Sequence, residues 1–318
     1  MKRIIFDSKR NNMRVVYMGT PDFAVLPLRK INEAGHEIVG VYTQPDKPKG
    51  RSNKLVPPDV KVAAVELGLD VYQPEKLREA SVVEELRDLN PDIIVVAAYG
   101  QILSEDVLNI PKYGCINIHA SLLPKYRGAS PIEACIINGD ETTGVTIMYM
   151  AKGLDTGDII SQAECPVGLH NTETLTAELS KLGADLVVKT MADIEAGTAD
   201  RIPQKDEDSC YSGKLDKTMG IIDWNKPAVE IERLVRGLYP WPCAFMTLGD
   251  KNLKLIESEV VDVLDDTVSV GKVCEVTKKY FVIKCGEKGL KIKKLQPEGK
   301  KPMDTVAFLN GCKVVVGQ

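Results

Sequence analysis

The chain is poor in several things at once. It has three histidines, His36, His119 and His170, and aromatic residues fill only 5% of its 318 positions. Histidine is the usual proton carrier near neutral pH, so acid–base chemistry of that kind has few residues to draw on. No uninterrupted apolar run approaches the ~18 residues of a membrane span, so no membrane association is expected. The basic and briefly apolar start, Met1-Lys2-Arg3-Ile4-Ile5-Phe6, is too short for a signal-peptide core. Cysteines stand at 115, 135, 165, 210, 243, 274, 285 and 312, with no Cys-x-x-Cys pair and no close histidine neighbour. That spacing argues against a metal site and reads as free thiols in a reducing, cytoplasmic compartment. The turn Gly19-Thr20-Pro21-Asp22-Phe23-Ala24 keeps only the first glycine of a G-x-G-x-x-G fingerprint. Pro21 stands where a second glycine would admit a pyrophosphate, which disfavours a nicotinamide enzyme. Internal repeats and low-complexity tracts are also lacking.

What is present is ordinary globular composition, 44% apolar and 27% charged, in a length that allows two domains. The net charge of −4, from 41 basic and 45 acidic residues, taken whole argues against a nucleic-acid binder. Divided at residue 218 it resolves into −7 and +3. A local basic stretch with Lys47, Lys49, Arg51, Lys54 and Lys61 sits inside the acidic part.

Hydrophobic patterning predicts strands over 14–18, 37–42, 92–98, 115–119 and 143–150. Helices are expected through Phe23, Leu28 and Ile31, through Val82, Val83, Leu86 and Leu89, and from about 172 to 195 with a stripe of Leu175, Leu179, Leu182 and Leu186. Alternating strands and helices imply a largely parallel α/β sheet. Residues 198–217 turn polar and irregular, as a linker does. After a helix near 227–238, short β-rich pieces at 254–256, 268–270 and 280–283 suggest a small antiparallel barrel. The expected divisions are an N-terminal extension or tag (1–12), a catalytic domain (13–197), a linker (198–217) and a C-terminal barrel domain (218–318).

The richest chemistry lies in Asn117-Ile118-His119-Ala120-Ser121-Leu122-Leu123-Pro124-Lys125-Tyr126-Arg127-Gly128. Strand alternation puts Asn117 and His119 on one face, at the strand end where ligands of open α/β sheets bind. The loop Gly153-Leu154-Asp155-Thr156-Gly157-Asp158 follows the next strand. An amide can hydrogen-bond the oxyanion of a tetrahedral intermediate, a histidine can move a proton, and a carboxylate can orient the imidazole. Asn117, His119 and Asp155 supply those parts for acyl or formyl transfer. On spacing alone a satisfied strand-end histidine is the commoner meaning.

At these residues the sequence resembles the 10-formyltetrahydrofolate-dependent formyltransferases. Three further segments resemble the branch of that family that acts on methionyl-tRNA: Met18-Gly19-Thr20-Pro21-Asp22-Phe23-Ala24, the stretch from Gln44-Pro45-Asp46-Lys47 to Val60-Lys61, and Ile222-Asp223-Trp224-Asn225 with Tyr239-Pro240-Trp241-Pro242. The resemblance runs from Met13 onward. It implies a Rossmann-like domain followed by an OB-like barrel. It also implies formyl transfer from 10-formyltetrahydrofolate to the α-amino group of methionine on initiator tRNA, by a monomer in the cytoplasm and without a metal. Asn117, His119 and Asp155 would be the catalytic trio. Ser121, Leu122, Leu123 and Pro124 would line the folate pocket, with Tyr99–Leu103 nearby. A related enzyme acting on an amino-sugar nucleotide or on glycinamide ribonucleotide shares the trio, but has no use for the basic loop and barrel. In the loop the sequence reads Gly50-Arg51-Ser52-Asn53-Lys54, where relatives often repeat an arginine-glycine step.

Prolines at 45, 48, 57 and 58 stiffen the ends of the basic loop, which suits a cationic arm meeting RNA phosphates through Lys49, Arg51 and Lys54. A solvated basic loop is the other meaning of such a run. On the expected barrel, alternation puts Lys291 and Lys293 on one face as a candidate phosphate track.

Overall fold

The structure, a computed structural model, describes residues 12–49, 54–263 and 267–318. Arg51 and nearly all of the expected N-terminal extension lie outside the described residues, as do the side chains of Lys49 and Lys54.

The first strands are β1 (Arg14–Gly19), β2 (Glu37–Tyr42), β3 (Lys47–Lys49), β4 (Lys54–Val56), β5 (Val71–Tyr72), β6 (Ile93–Ala97) and β7 (Cys115–His119). A seven-stranded sheet runs in the order Ile159–Pro166, Thr142–Tyr149, β7, β6, β1, β2, β5. The pairings β1 with β2, β1 with β6, β6 with β7 and β2 with β5 are parallel, and β7 pairs antiparallel with Thr142–Tyr149. The expected largely parallel α/β sheet is therefore present. Every residue of β6 and β7 is buried. Parallel strands covered on both faces have no solvent side, which is why these segments are almost wholly apolar. Val16, Met18, Ile94 and Val96 share one face and pack with Tyr42, Leu77, Val83, Leu86 and Tyr99. Val83 and Leu86 come from the helix Ala80–Asp88 and realise the predicted helical spacing.

The long helix runs Thr172–Ala196. Its buried line is Leu175, Leu179, Val187 and Met191, whereas the predicted Leu182 and Leu186 are only half-buried at its edge. Gly183 explains the offset. A Cβ there would sit 2.9 Å from Ile118 Cγ2, so the missing side chain lets the helix press directly on β7.

Contacts divide the chain into two compact units. One comprises the chain up to Arg127 with Gly144–Cys165 and Ala177–Tyr211; the other comprises Gly128–Thr143, Pro166–Thr176 and Ser212–Gln318. The second unit holds an antiparallel sheet in the order Ala244–Leu248, Lys251–Val261, Gly289–Pro297, Phe281–Lys284, Val273–Val276, with Met303–Asp304 added on Gly289–Pro297. This is the expected OB-like barrel. Leu253, Leu255, Ile283, Leu290, Ile292 and Leu295 point inward and are capped by Ile231 and Val235 of the helix Ala228–Gly237. Register shifts at Glu257 bend the eleven-residue strand Lys251–Val261, as bulges do.

Two sequence expectations change. Residues 268–270 form no strand. Val270 is partly exposed and Gly271 takes φ +81°, so this short run ends in a turn. The polar stretch 198–217 is not irregular throughout. Ile202 exchanges both backbone hydrogen bonds with Ile159, at 2.9 and 2.8 Å.

Candidate active site

β7 ends at His119 and carries Asn117 two residues earlier, opposite Met148 and Val96. Both polar side chains are almost fully enclosed, Asn117 at 9% exposure and His119 at 6%. Polar groups so placed need partners, or a ligand, to balance lost hydration.

His119 is gripped from two sides. Nε2 lies 2.9 Å from the Tyr126 carbonyl oxygen, and Nδ1 lies 3.7 Å from Asp155 Oδ2. A carbonyl oxygen only accepts, so Nε2 carries a proton and donates it to Tyr126. The Nδ1 separation is an ion-pair distance, too long for a hydrogen bond. Nδ1 is thus the ring nitrogen open to proton exchange, with a carboxylate at its back.

Both residues that face the imidazole adopt left-handed backbone conformations, Tyr126 at φ 58° and Asp155 at φ 52°. Such strain persists only where the surroundings over-determine it, and it concentrates at functional sites. The surroundings here are specific. Gln204 Nε2 donates to Asp155 O at 2.9 Å and to Gly157 O at 2.8 Å, and Arg127 Nε donates to Gln204 Oε1 at 3.0 Å. Arg127 Nη1 also pairs with Asp206 at 2.8 Å. The Arg127 amide donates to Cys210 O at 2.9 Å, and the Tyr126 amide to Cys210 Sγ at 3.2 Å. Gly157 must be glycine, because a Cβ there would sit 1.8 Å from Tyr149 O. Gln204, Asp206 and Cys210 all come from the stretch expected to be a linker. Their only trace in the sequence is the apolar Ile202-Pro203 step inside an acidic run.

The segment after His119 is braced by a buried polar knot. Thr146 Oγ1 donates to Ser121 O at 2.7 Å and accepts from Leu123 N at 3.0 Å and Gln162 Nε2 at 2.9 Å. Gln162 Nε2 also reaches Leu123 O at 2.9 Å. Ser121 is fully buried and its hydroxyl donates to Lys125 O at 2.6 Å. Leu123 packs with Met148 and Ile159. Of the four predicted lining residues, Ser121 and Leu123 shape the loop from behind, while Leu122 and Pro124 keep partly open surface.

Beside this loop, at the carboxyl ends of β1, β2 and β6, Thr20 Oγ1 donates to Tyr99 O at 2.8 Å. Gln44 Nε2, Tyr99 Oη and Ser104 Oγ are buried without a hydrogen-bond partner among the described residues. Burial pushes the Tyr99 phenol up to about 12, so it remains a neutral donor. A Cβ at Gly100 would come 3.8 Å from the Gln44 side chain, which places the glycine and the amide together.

The expected phosphate contacts divide into three groups. β3 and β4 form a hairpin with Lys49 directly opposite Lys54 in register. Lys61, counted with the basic stretch, is committed at the hairpin base to Asp46 at 2.8 Å and Gln73 at 2.7 Å. On the barrel, Lys291 and Lys293 flank buried Ile292 and neither is buried; the register with the neighbouring strand skips Lys293 between Ile292 and Lys294. Carboxylates of the neighbouring strand answer Lys291 and Lys294, through Glu259 at 3.2 Å and Glu257 at 3.6 Å, and Lys288 pairs with Asp262 at 3.5 Å just beyond the strand ends. Lys291 also lies over the Tyr280 ring at 4.6 Å. Lys293 is exposed.

Among the described residues no group of three or more His, Cys, Asp or Glu side chains is arranged to hold a metal. No helix among them is long and apolar enough to cross a membrane.

The family model described as formyl transferase matches residues 13–191, and the formyl transferase C-terminal domain matches 214–313. A protein of Agathobacter rectalis named methionyl-tRNA formyltransferase is 49% identical over 306 residues, covering 96% of this chain and 98% of its own length. One of the same name from Lachnospira eligens is 50% identical over 310 residues, with the same coverage. Among solved structures, an N-formyltransferase of Helicobacter canadensis in complex with folinic acid and dTDP-3-aminofucose aligns with TM-score 0.67 at 21% identity, over 88% of this chain and 98% of that one. HypX of Aquifex aeolicus in complex with tetrahydrofolic acid aligns with TM-score 0.64 at 17% identity, over 94% of this chain and 47% of that one.

Proposed function

The chain belongs to the formyl transferase family, and from that premise we propose that Asn117, His119 and Asp155 carry its chemistry. The reaction is transfer of a formyl group from 10-formyltetrahydrofolate to the free α-amino group of methionyl initiator tRNA. The amine attacks the formyl carbon, and the carbonyl oxygen becomes an oxyanion. Asn117, enclosed at the strand end, donates an amide N–H to that oxyanion, and preorganised donors of this kind are among the largest catalytic contributions. Collapse breaks the bond to the folate N10. The amine loses one proton and N10 gains one, and His119 Nδ1 is the group placed to pass it. Asp155 stabilises the ring while it holds that proton. The observation that carries this assignment is the double grip on His119, which fixes Nε2 on Tyr126 and leaves Nδ1 open beside Asp155.

The polar atoms of Gln44, Tyr99 and Ser104, buried without protein partners, suit a heterocycle with polar edges, and Leu122 and Pro124 offer it apolar contact. This supports a folate site between the two loops. Lys49 and Lys54 of the hairpin strands, Arg51 of the basic stretch in sequence, and Lys291 and Lys293 on the barrel are assigned to tRNA phosphates. The working divisions are 13–197 for catalysis, 198–217 for the connection and 218–318 for tRNA binding; the family matches over 13–191 and 214–313 support them. The eight free thiols suit a reducing cytoplasm, and we expect a monomer.

The test supplies purified protein with 10-formyltetrahydrofolate and, side by side, charged initiator tRNA, charged elongator tRNA and a dTDP-amino sugar. Formylmethionine on initiator tRNA, with little on the other acceptors, is expected. Transfer to the amino sugar alone would replace this reading with the sugar-modifying one.

A further inference from the structure

Gln204 makes three hydrogen bonds with one amide group. Both Nε2 protons are used, on Asp155 O and Gly157 O, and Oε1 accepts from Arg127 Nε. Those partners belong to the two backbone segments that face His119. The Asp155–Gly157 loop brings the carboxylate to Nδ1, and the Tyr126–Arg127 turn brings the carbonyl to Nε2. Both segments are held at positive φ, so neither is at rest without an external tie.

We propose that Gln204 is a positioning residue for formyl transfer: it brackets the Asp155 loop to the Tyr126–Arg127 turn and thereby sets both partners of the His119 ring. This rests on the reading of Asn117, His119 and Asp155 as the catalytic trio.

The chemistry selects glutamine over its relatives. Two donors must face two carbonyl oxygens while an acceptor faces a guanidinium, and only a primary amide offers that pattern. Glutamate has the same shape and keeps the Arg127 contact, but turns a charged oxygen onto the Asp155 and Gly157 carbonyls. Asparagine has the right groups on a stem one methylene shorter. Leucine fills similar space with no polar atom. Asp206 cannot replace the bracket, since it touches Arg127 alone among these groups and is 88% exposed, where an ion pair holds geometry weakly.

The experiment measures steady-state kinetics for Gln204→Leu and Gln204→Glu with both substrates, in the native background and with Asp155→Asn. Because misplacement by about 1 Å can cost ~10²-fold, kcat of each single variant should fall about 10- to 100-fold, with both KM values within about twofold of native. In the Asp155→Asn background the second change should cost clearly less than it does alone, since one of the two ring partners it sets is already lost and residues acting through one another are not additive. A second readout uses the scarcity of histidine. With three in the chain, the His119 ring N–H can be followed by NMR, and its exchange with water should speed up about tenfold or more when the bracket is lost. Native kcat in either single variant, a change confined to KM, or losses that multiply with Asp155→Asn would overturn the proposal. If His119→Ala and Asp155→Asn themselves keep native kcat, the catalytic reading fails instead. The exchange rate alone then decides the bracket, and an unchanged rate rejects it.

Discussion

The imidazole of His119 donates from Nε2 to the carbonyl oxygen of Tyr126 at 2.9 Å, and so has only Nδ1 left for chemistry, 3.7 Å from Asp155. Asp155 is therefore more than a tether. Replacing it with asparagine keeps the loop's bulk but removes the carboxylate charge that lies 3.7 Å from Nδ1. Asp155→Asn should lower kcat by at least ~10²-fold, the scale of general acid–base catalysis, with KM for tRNA nearly unchanged. Rapid-quench kinetics at saturating substrates check this.

Thr146 is a single hydroxyl on which Ser121 O, Leu123 N and Gln162 Nε2 converge. Valine matches its shape but removes the hydroxyl partner of Ser121 O and Leu123 N, leaving Gln162 Nε2 only its bond to Leu123 O. Buried polar groups left unpaired cost about 1–3 kcal/mol. Thr146→Val should therefore lower the thermal midpoint by about 2–6 °C and raise KM for the folate substrate, because the loop carrying Leu122 and Pro124 loses its brace. A midpoint within 1 °C of native, which corresponds to less than about 0.5 kcal/mol, would show that the knot is not needed.

The barrel lysines should not be equal in RNA binding. Lys291 already shares its charge with Glu259 and the Tyr280 ring, while Lys293 is exposed two residues along the same strand. Lys293→Ala should reduce the slope of log Kd against log salt by nearly one ion, Lys291→Ala by much less. Arg51→Ala should flatten the slope as Lys293→Ala does. Filter binding of initiator tRNA across a salt series gives all three values.

Hydrogen bonds from Lys61 and then Gln73 hold the Asp46 carboxyl below its ordinary range. A carboxyl whose folded pKa is depressed adds stability above the unfolded value of ~3.9 and loses it as pH falls through the folded value. Asp46→Asn should thus lower the melting temperature at neutral pH, and the gap from native should close as the solution is acidified below that range. Melting curves from neutral to acid pH test it, and a gap independent of pH would contradict the assignment.

Much of this was legible in the sequence, for identifiable reasons. β6 and β7 are wholly apolar or alternate cleanly, so both strands and the shared face of Asn117 and His119 follow from pattern alone. Asp155 is legible because a carboxylate loop follows the next strand. Gln204 was not legible, because its role depends on a chain return that pairs Ile202 with Ile159, and a polar run carries no periodicity to announce that. Leu182 and Leu186 continue the leucine stripe in sequence but sit at the helix edge, because Gly183, not a leucine, meets β7. Lys61 and Lys291 look cationic in sequence, but Asp46 and Glu259 meet them only in the fold.

The central claim is that Asn117 and His119 perform the transfer rather than merely complete a buried strand end. Single-turnover formyl transfer to charged initiator tRNA, measured for Asn117→Ala and His119→Ala beside tRNA affinity, tests it most directly. Both variants are expected to bind tRNA within about threefold of native while transfer slows at least ~10²-fold. Transfer at near-native rate in either, with tRNA binding intact, would contradict the account.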